Sequence, residues 1–211
     1  MYKSMKVFLF GGAEPRQVAR ELKLIEKVIK RLGVKQVLHI PFARTQTQEI
    51  EWSGDWFHRH IHLPGINYLN AANKSDINKA RSPLVFISGG SEHVNLIKKI
   101  KSNSRLLNLI KNASYIIGES AGAMVLGTYF RSGRRDGPRR LLRGLGIIKN
   151  TIIEPHYTEK KRQTMLVQEM KQAKARYGIG IDSLTAIEFE LDKFPKEYKK
   201  IGSGSIEIKI I

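Results

Sequence analysis

Short apolar runs alternate along the chain with stretches whose apolar residues recur every three or four positions. The short runs are Val7–Phe10, "VLHIPFA", "GINYLN", "LVFISGG" and "SYIIG", and each reads as a strand. Between the first two, Val18, Leu22, Leu24, Ile25, Val28, Ile29 and Leu32 form the stripe of an amphipathic helix. Pro15 suits its first turn and Gly33 its C-terminal cap. Further along, the pattern predicts a helix over 158–176 and a strand at "YGIGI". "TAIEFE" and "SIEIKI" alternate apolar with polar residues, which predicts an antiparallel pair at the sheet edge or over it. Strand and helix in alternation define an α/β protein with a mostly parallel sheet. No repeat, low-complexity tract or linker divides residues 1–211, so a single domain is expected.

Composition changes this picture at two points. The absence of cysteine removes disulfides, thiolate metal sites and a cysteine nucleophile. The apolar run in "MYKSMKVFLFGG" is too short for a signal or a membrane span, so a cytoplasmic protein without a membrane partner is expected. The formal charge is +18, from 37 Lys and Arg against 19 acidic residues, and such a field attracts anionic partners. It reads either as nucleic-acid or anionic-ligand binding or as lysines spread over solvated helix faces. "RSGRRDGPRRLLRG" concentrates Arg131, Arg134, Arg135, Arg139, Arg140 and Arg143 without an aromatic residue for base stacking between Arg131 and Arg143.

Chemistry is suggested most strongly at Gly118-Glu119-Ser120-Ala121-Gly122. This is a G-x-S-x-G pattern in its required setting of apolar strand, sharp turn and helix. Small residues two before and two after the serine let a strained corner display the hydroxyl; the alternative is a plain strand-to-helix turn. A serine nucleophile needs a base. His156 ends the apolar run of "TIIEPHYT" and lies where sites gather, at the carboxyl end of a strand. His39 sits inside a strand and reads as a buried histidine, and His93 follows the Gly89-Gly90 loop. A backbone N–H of that loop, with that of Ala121, has the makings of an oxyanion hole. His58, His60 and His62 share one face if "HRHIH" is extended, as metal ligands would; otherwise the stretch is a basic loop. No metal or cofactor is expected.

In order and spacing, "VLHIPFA", "FISGGSEHVNLI", "IIGESAGAMVLG", "IIEPHYT" and "GIGIDSLTAIEF" together resemble the dipeptidase E and cyanophycinase family of serine peptidases. The resemblance implies a flavodoxin-like three-layer α/β sandwich with an antiparallel C-terminal strand pair. It also implies Ser120 as nucleophile, His156 as general base and Gly90 and Ala121 as oxyanion donors. Arg162 would grip an acidic substrate group. The substrate implied is a small peptide, with aspartyl dipeptides foremost, for a monomer or homodimer. In that family a glutamate typically completes the triad one position beyond Asp182, where this chain has Ser183. Asp182 is therefore the expected acid, with Asp136 as the other candidate.

Overall fold

In the strands, successive side chains serve two different cores. Val7 and Leu9 join one apolar cluster while Phe8 and Phe10 join another, and Val85 and Ile87 alternate with Leu84 and Phe86 in the same way. A strand buried on both faces reads as a continuous apolar run, which is why these segments stood out. The computed structural model describes residues 4–44, 61, 63–133 and 135–211.

Strands β1 (Lys6–Phe10), β2 (Gln36–Ile40), β3 (Asn67–Asn70), β4 (Leu84–Ile87) and β5 (Tyr115–Glu119) form the parallel part of the main sheet. Two later strands, β10 (Thr185–Glu190) and β11 (Lys199–Gly202), extend it antiparallel, giving the order β11-β10-β1-β5-β4-β2-β3. Helix α1 (Val18–Leu32) covers one face through Leu22, Ile25, Val28 and Ile29, and Gly33 caps it in the left-handed region at φ 61°. The other face is covered by α2 (Lys74–Lys79), α3 (His93–Lys101), α4 (Ser104–Lys111) and α5 (Ala121–Leu126). The result is the expected three-layer α/β architecture.

A hairpin, β6 (Tyr129–Arg131) with β7 (Leu141–Arg143), brackets the arginine-rich turn. A second sheet of β8 (Thr151–Pro155), β9 (Tyr177–Ile181) and β12 (Ile206–Ile210) packs Ile153, Ile179 and Ile181 toward the larger core. Its opposite face holds Ile152 against Leu166 and Met170 of α6 (Gln163–Ala173).

Three details differ from the pattern-based expectation. "TAIEFE" and "SIEIKI" are both antiparallel, but the first pairs with β1 and β11 and the second with β9. The C-terminal antiparallel pair is β10–β11, and β11 is too charged to be read from periodicity. Helix α6 is shorter than 158–176. Lys161 at φ 49° interrupts it on the N-terminal side, and Lys174 at φ 52° ends it on the other. Among the described residues no helix is long and apolar enough to cross a membrane.

Candidate active site

The carboxyl ends of β1, β4, β5 and β8 converge on one cleft. At the end of β5 the chain turns so sharply that Ser120 has φ 50° and ψ −111°, a conformation seldom adopted by a residue with a Cβ. Its N–H donates to the carbonyl of Phe10 at 3.0 Å, which ties the corner to β1. A side chain at Gly122 would run into the carbonyl of Ile87, so the helix after the serine packs this close to β4 only with glycine there.

His156 reaches the same point from the second sheet. It too has positive φ, 49°, and its N–H is fixed by the carbonyl of Gly11 at 3.0 Å. The Oγ of Ser120 and the Nε2 of His156 are 3.4 Å apart. That is long for a hydrogen bond, as such pairs often are before substrate tightens them. Gly12 makes the approach possible. A Cβ on it would lie 2.7 Å from His156 Nε2 and 3.1 Å from Ser120 Cβ, and its φ is +90°.

Burial, with the cations Lys160 and Arg162 nearby, lowers the pKa of His156 from 6.5 to about 3. The ring is therefore neutral at pH 7. With Nδ1 protonated, Nε2 keeps the lone pair a base needs, facing the serine. The Nδ1 side meets the hydroxyl of Ser183 at 2.9 Å and, at 3.4 Å, Oε1 of Glu14.

Asp182, the expected third member, is not brought to His156. Its Oδ1 accepts from the N–H of Thr158 at 2.9 Å and its Oδ2 from that of Ser205 at 2.8 Å. Neighbouring side chains at a strand end point opposite ways, so placing Ser183 toward the histidine turns Asp182 away from it. Asp136 is elsewhere too, accepting from Val94 N and Gly133 N.

A cavity of about 530 Å³ opens over the pair. Gly89 and Gly90 line it, and the N–H of Gly89 is taken by the carboxylate of Glu119 at 2.5 Å. Among the described residues no acceptor is bonded to the N–H of Gly90, and Ala121 opens α5 at the serine corner. Arg131 and Arg162 line the cavity wall and share one carboxylate oxygen of Glu154, at 2.9 and 3.1 Å. Arg162 also donates to the carbonyl of Pro155 at 2.7 Å, which fixes its orientation at the rim. Arg131 is buried and bonds Glu169 as well, at 3.1 Å. One member of the basic stretch is therefore an interior residue, whereas Arg135 pairs with Glu92 at 3.9 Å.

His93 lines the same cavity, with its Nδ1 2.8 Å from the carbonyl oxygen of Arg131 and its pKa lowered by burial. His39 is buried as expected, bonded to Ser88 at 2.9 Å and stacked on Phe86. His58, His60, His62 and Arg134 lie outside the described residues. Among the described residues no group of His, Asp and Glu is arranged to hold a metal.

Sequence reasoning missed four residues here: Gly12, Glu14, Ser183 as a direct partner, and Glu154. For Glu154 a signal existed, since a lone carboxylate inside an apolar strand implies a buried cation beside it. Gly12 and Glu14 follow the first strand at its carboxyl end, the place where sites gather in such sheets.

A displayed serine hydroxyl beside a neutral histidine, in a cleft on a mostly parallel sheet, defines the class as an α/β hydrolytic enzyme. Residues 7–196 match the profile of peptidase family S51, and the chain belongs to that family of peptidase hydrolases. Its curated relatives include the cyanophycinase of Trichormus variabilis, 30% identical with 96% of this chain and 72% of that protein covered. The cyanophycinase of Geminocystis herdmanii is 30% identical, but the match covers 59% of this chain and 48% of that protein. The chain thus spans about half of the Geminocystis protein. Among solved structures, a peptidase from an acI-B1 actinobacterium superposes with a TM-score of 0.66 at 23% identity, over 98% of this chain and 91% of that one. A putative peptidase E protein from Listeria monocytogenes gives 0.62 at 17% identity, over 95% and 100%. Both share its fold.

Proposed function

We propose that the protein is a serine peptidase that cleaves small peptides, aspartyl dipeptides foremost, through an acyl-enzyme on Ser120. The observation that carries this reading is the strained Ser120, its Oγ 3.4 Å from the Nε2 of a neutral, buried His156. His156 Nε2 takes the proton of Ser120 as Oγ bonds to the scissile carbonyl carbon. The N–H groups of Gly90 and Ala121 receive the oxyanion. His156 then hands that proton to the departing amine as the C–N bond breaks. Water repeats the sequence: it loses a proton to Nε2, attacks the acyl carbon, and returns Ser120 as a free hydroxyl. Ser183 meets the imidazole from the other side, its Oγ 2.9 Å from Nδ1.

The acidic preference rests on Arg162. Its guanidinium stands at the cavity rim, held by Glu154 and Pro155, with donors left over for a substrate carboxylate. A panel of dipeptides tests the reading. Aspartyl dipeptides are expected to be cleaved faster than their asparaginyl counterparts, Ser120→Ala to abolish both, and Arg162→Met to remove the preference. Equal rates on the two panels in the unaltered protein would overturn the aspartyl specificity, and cleavage by Ser120→Ala would overturn the nucleophile.

A further inference from the structure

A negative charge behind the imidazole favours proton transfer from the serine, because the ring becomes a cation each time it takes the serine proton. Every carboxylate near it on the β8 and β9 side is committed. Asp182 caps Thr158 and Ser205, Glu159 accepts the N–H of Ser183 at 2.8 Å, and Glu154 holds Arg131 and Arg162. Ser183 supplies a hydroxyl to Nδ1 and no charge.

From these contacts we infer that Glu14, on the loop after β1, is the positioning residue that supplies the missing carboxylate to His156. Its Oε1 lies 3.4 Å from Nδ1, and among the described residues no other carboxylate oxygen comes within 4 Å of either ring nitrogen. The loop is built to hold it there. Gln17 returns its side-chain oxygen to the N–H of Glu14 at 3.4 Å, and Pro15 starts a single turn of 3₁₀ helix. The neighbouring Gly12, unable to carry a Cβ, lets the loop pass against the histidine. This inference rests on the serine-peptidase reading above.

In the free protein Glu14 is about half exposed and also faces Lys160, whose Nζ is 3.8 Å from the same oxygen. Water and that lysine weaken its hold, and burial together with Lys160 and Arg162 keeps the ring neutral. A peptide lying over the cavity expels that water, so the pair strengthens as the imidazolium forms. Nδ1 keeps its proton throughout; Glu14 balances charge and does not carry the proton away. The acid of this chain thus comes from the first strand loop instead of the end of β9.

The test uses the whole protein and a fluorophosphonate probe, separating the labelling step (kinact) from probe binding (KI). Glu14→Gln keeps the shape and removes the charge, Glu14→Lys inverts it, and Glu14→Asp retains it. Glu14→Gln is expected to lower kinact about fivefold, the upper end for a partly exposed pair, and Glu14→Lys to lower it further, with KI unchanged. Glu14→Asp should recover part of the loss. Because the residue is on the surface, urea midpoints should stay at the parent value in all three. If kinact of Glu14→Gln and Glu14→Lys stays within about twofold of the parent protein, the role assigned to Glu14 is overturned while the serine-peptidase reading stands. A parent protein that takes no label at Ser120 overturns both.

Discussion

Acidifying the protein should unmask the cost of burying His156 as a neutral ring. In the folded chain its pKa is lowered to about 3, while in the unfolded chain it returns to the ordinary 6.5. Between these values the unfolded state binds a proton that the folded state refuses, so stability falls as pH falls below 6.5. The slope is about 1.4 kcal/mol per pH unit, which gives about 2 kcal/mol lost at pH 5 relative to pH 7. The loss levels off below the folded value. Other groups titrate over the same range, so the measurement is a difference: urea unfolding of the parent protein and of His156→Gln at both pH values. The parent should lose about 2 kcal/mol more than the variant between pH 7 and pH 5. Identical losses would show that His156 is protonated as readily in the fold as outside it. The lowered pKa of the buried ring would then be refuted.

Other expectations follow from individual contacts. Gly12→Ala places a methyl group against both Ser120 and His156 at a positive φ, and should cost about 1–2 kcal/mol of stability. Its labelling by fluorophosphonate should fall far more than that loss accounts for, when rates are compared on fully folded samples. Glu154→Gln leaves the guanidinium groups of Arg131 and Arg162 without their shared charge, and should destabilise by about 3 kcal/mol in urea titration. Asp182→Ala frees the N–H groups of Thr158 and Ser205, and should cost about 1–3 kcal/mol while the folded fraction keeps most of its labelling rate.

Much of the fold was legible because its strands are buried on both faces. Val7 and Leu9 face one core, Phe8 and Phe10 the other, and the whole run must be apolar. The charged and polar segments were not legible. β11 and the β6–β7 hairpin carry lysines and arginines on short strands, and only their pairing partners define them. Ser120 was readable because its signal is local: strand, corner and small residues sit together in the chain. His156 was readable from a rule of topology, since it follows a strand end.

The groups around His156 were not readable, because they converge only in three dimensions. Whether Asp182 or Ser183 faces the ring depends on the phase of one strand end. Glu14 arrives on a loop from the opposite end of the chain, carried there by the position of β1 between β5 and β10. The resemblance places the acid near Asp182, whereas the carboxylate within reach of the ring is that of Glu14.

The central claim is that Ser120 is a nucleophile activated by His156. Intact-mass analysis after fluorophosphonate treatment tests it most directly. One adduct per chain is predicted, mapping to the peptide that carries Ser120, lost in Ser120→Ala and severely slowed in His156→Gln. A folded parent protein that stays unlabelled, or an adduct that persists in Ser120→Ala, would contradict it.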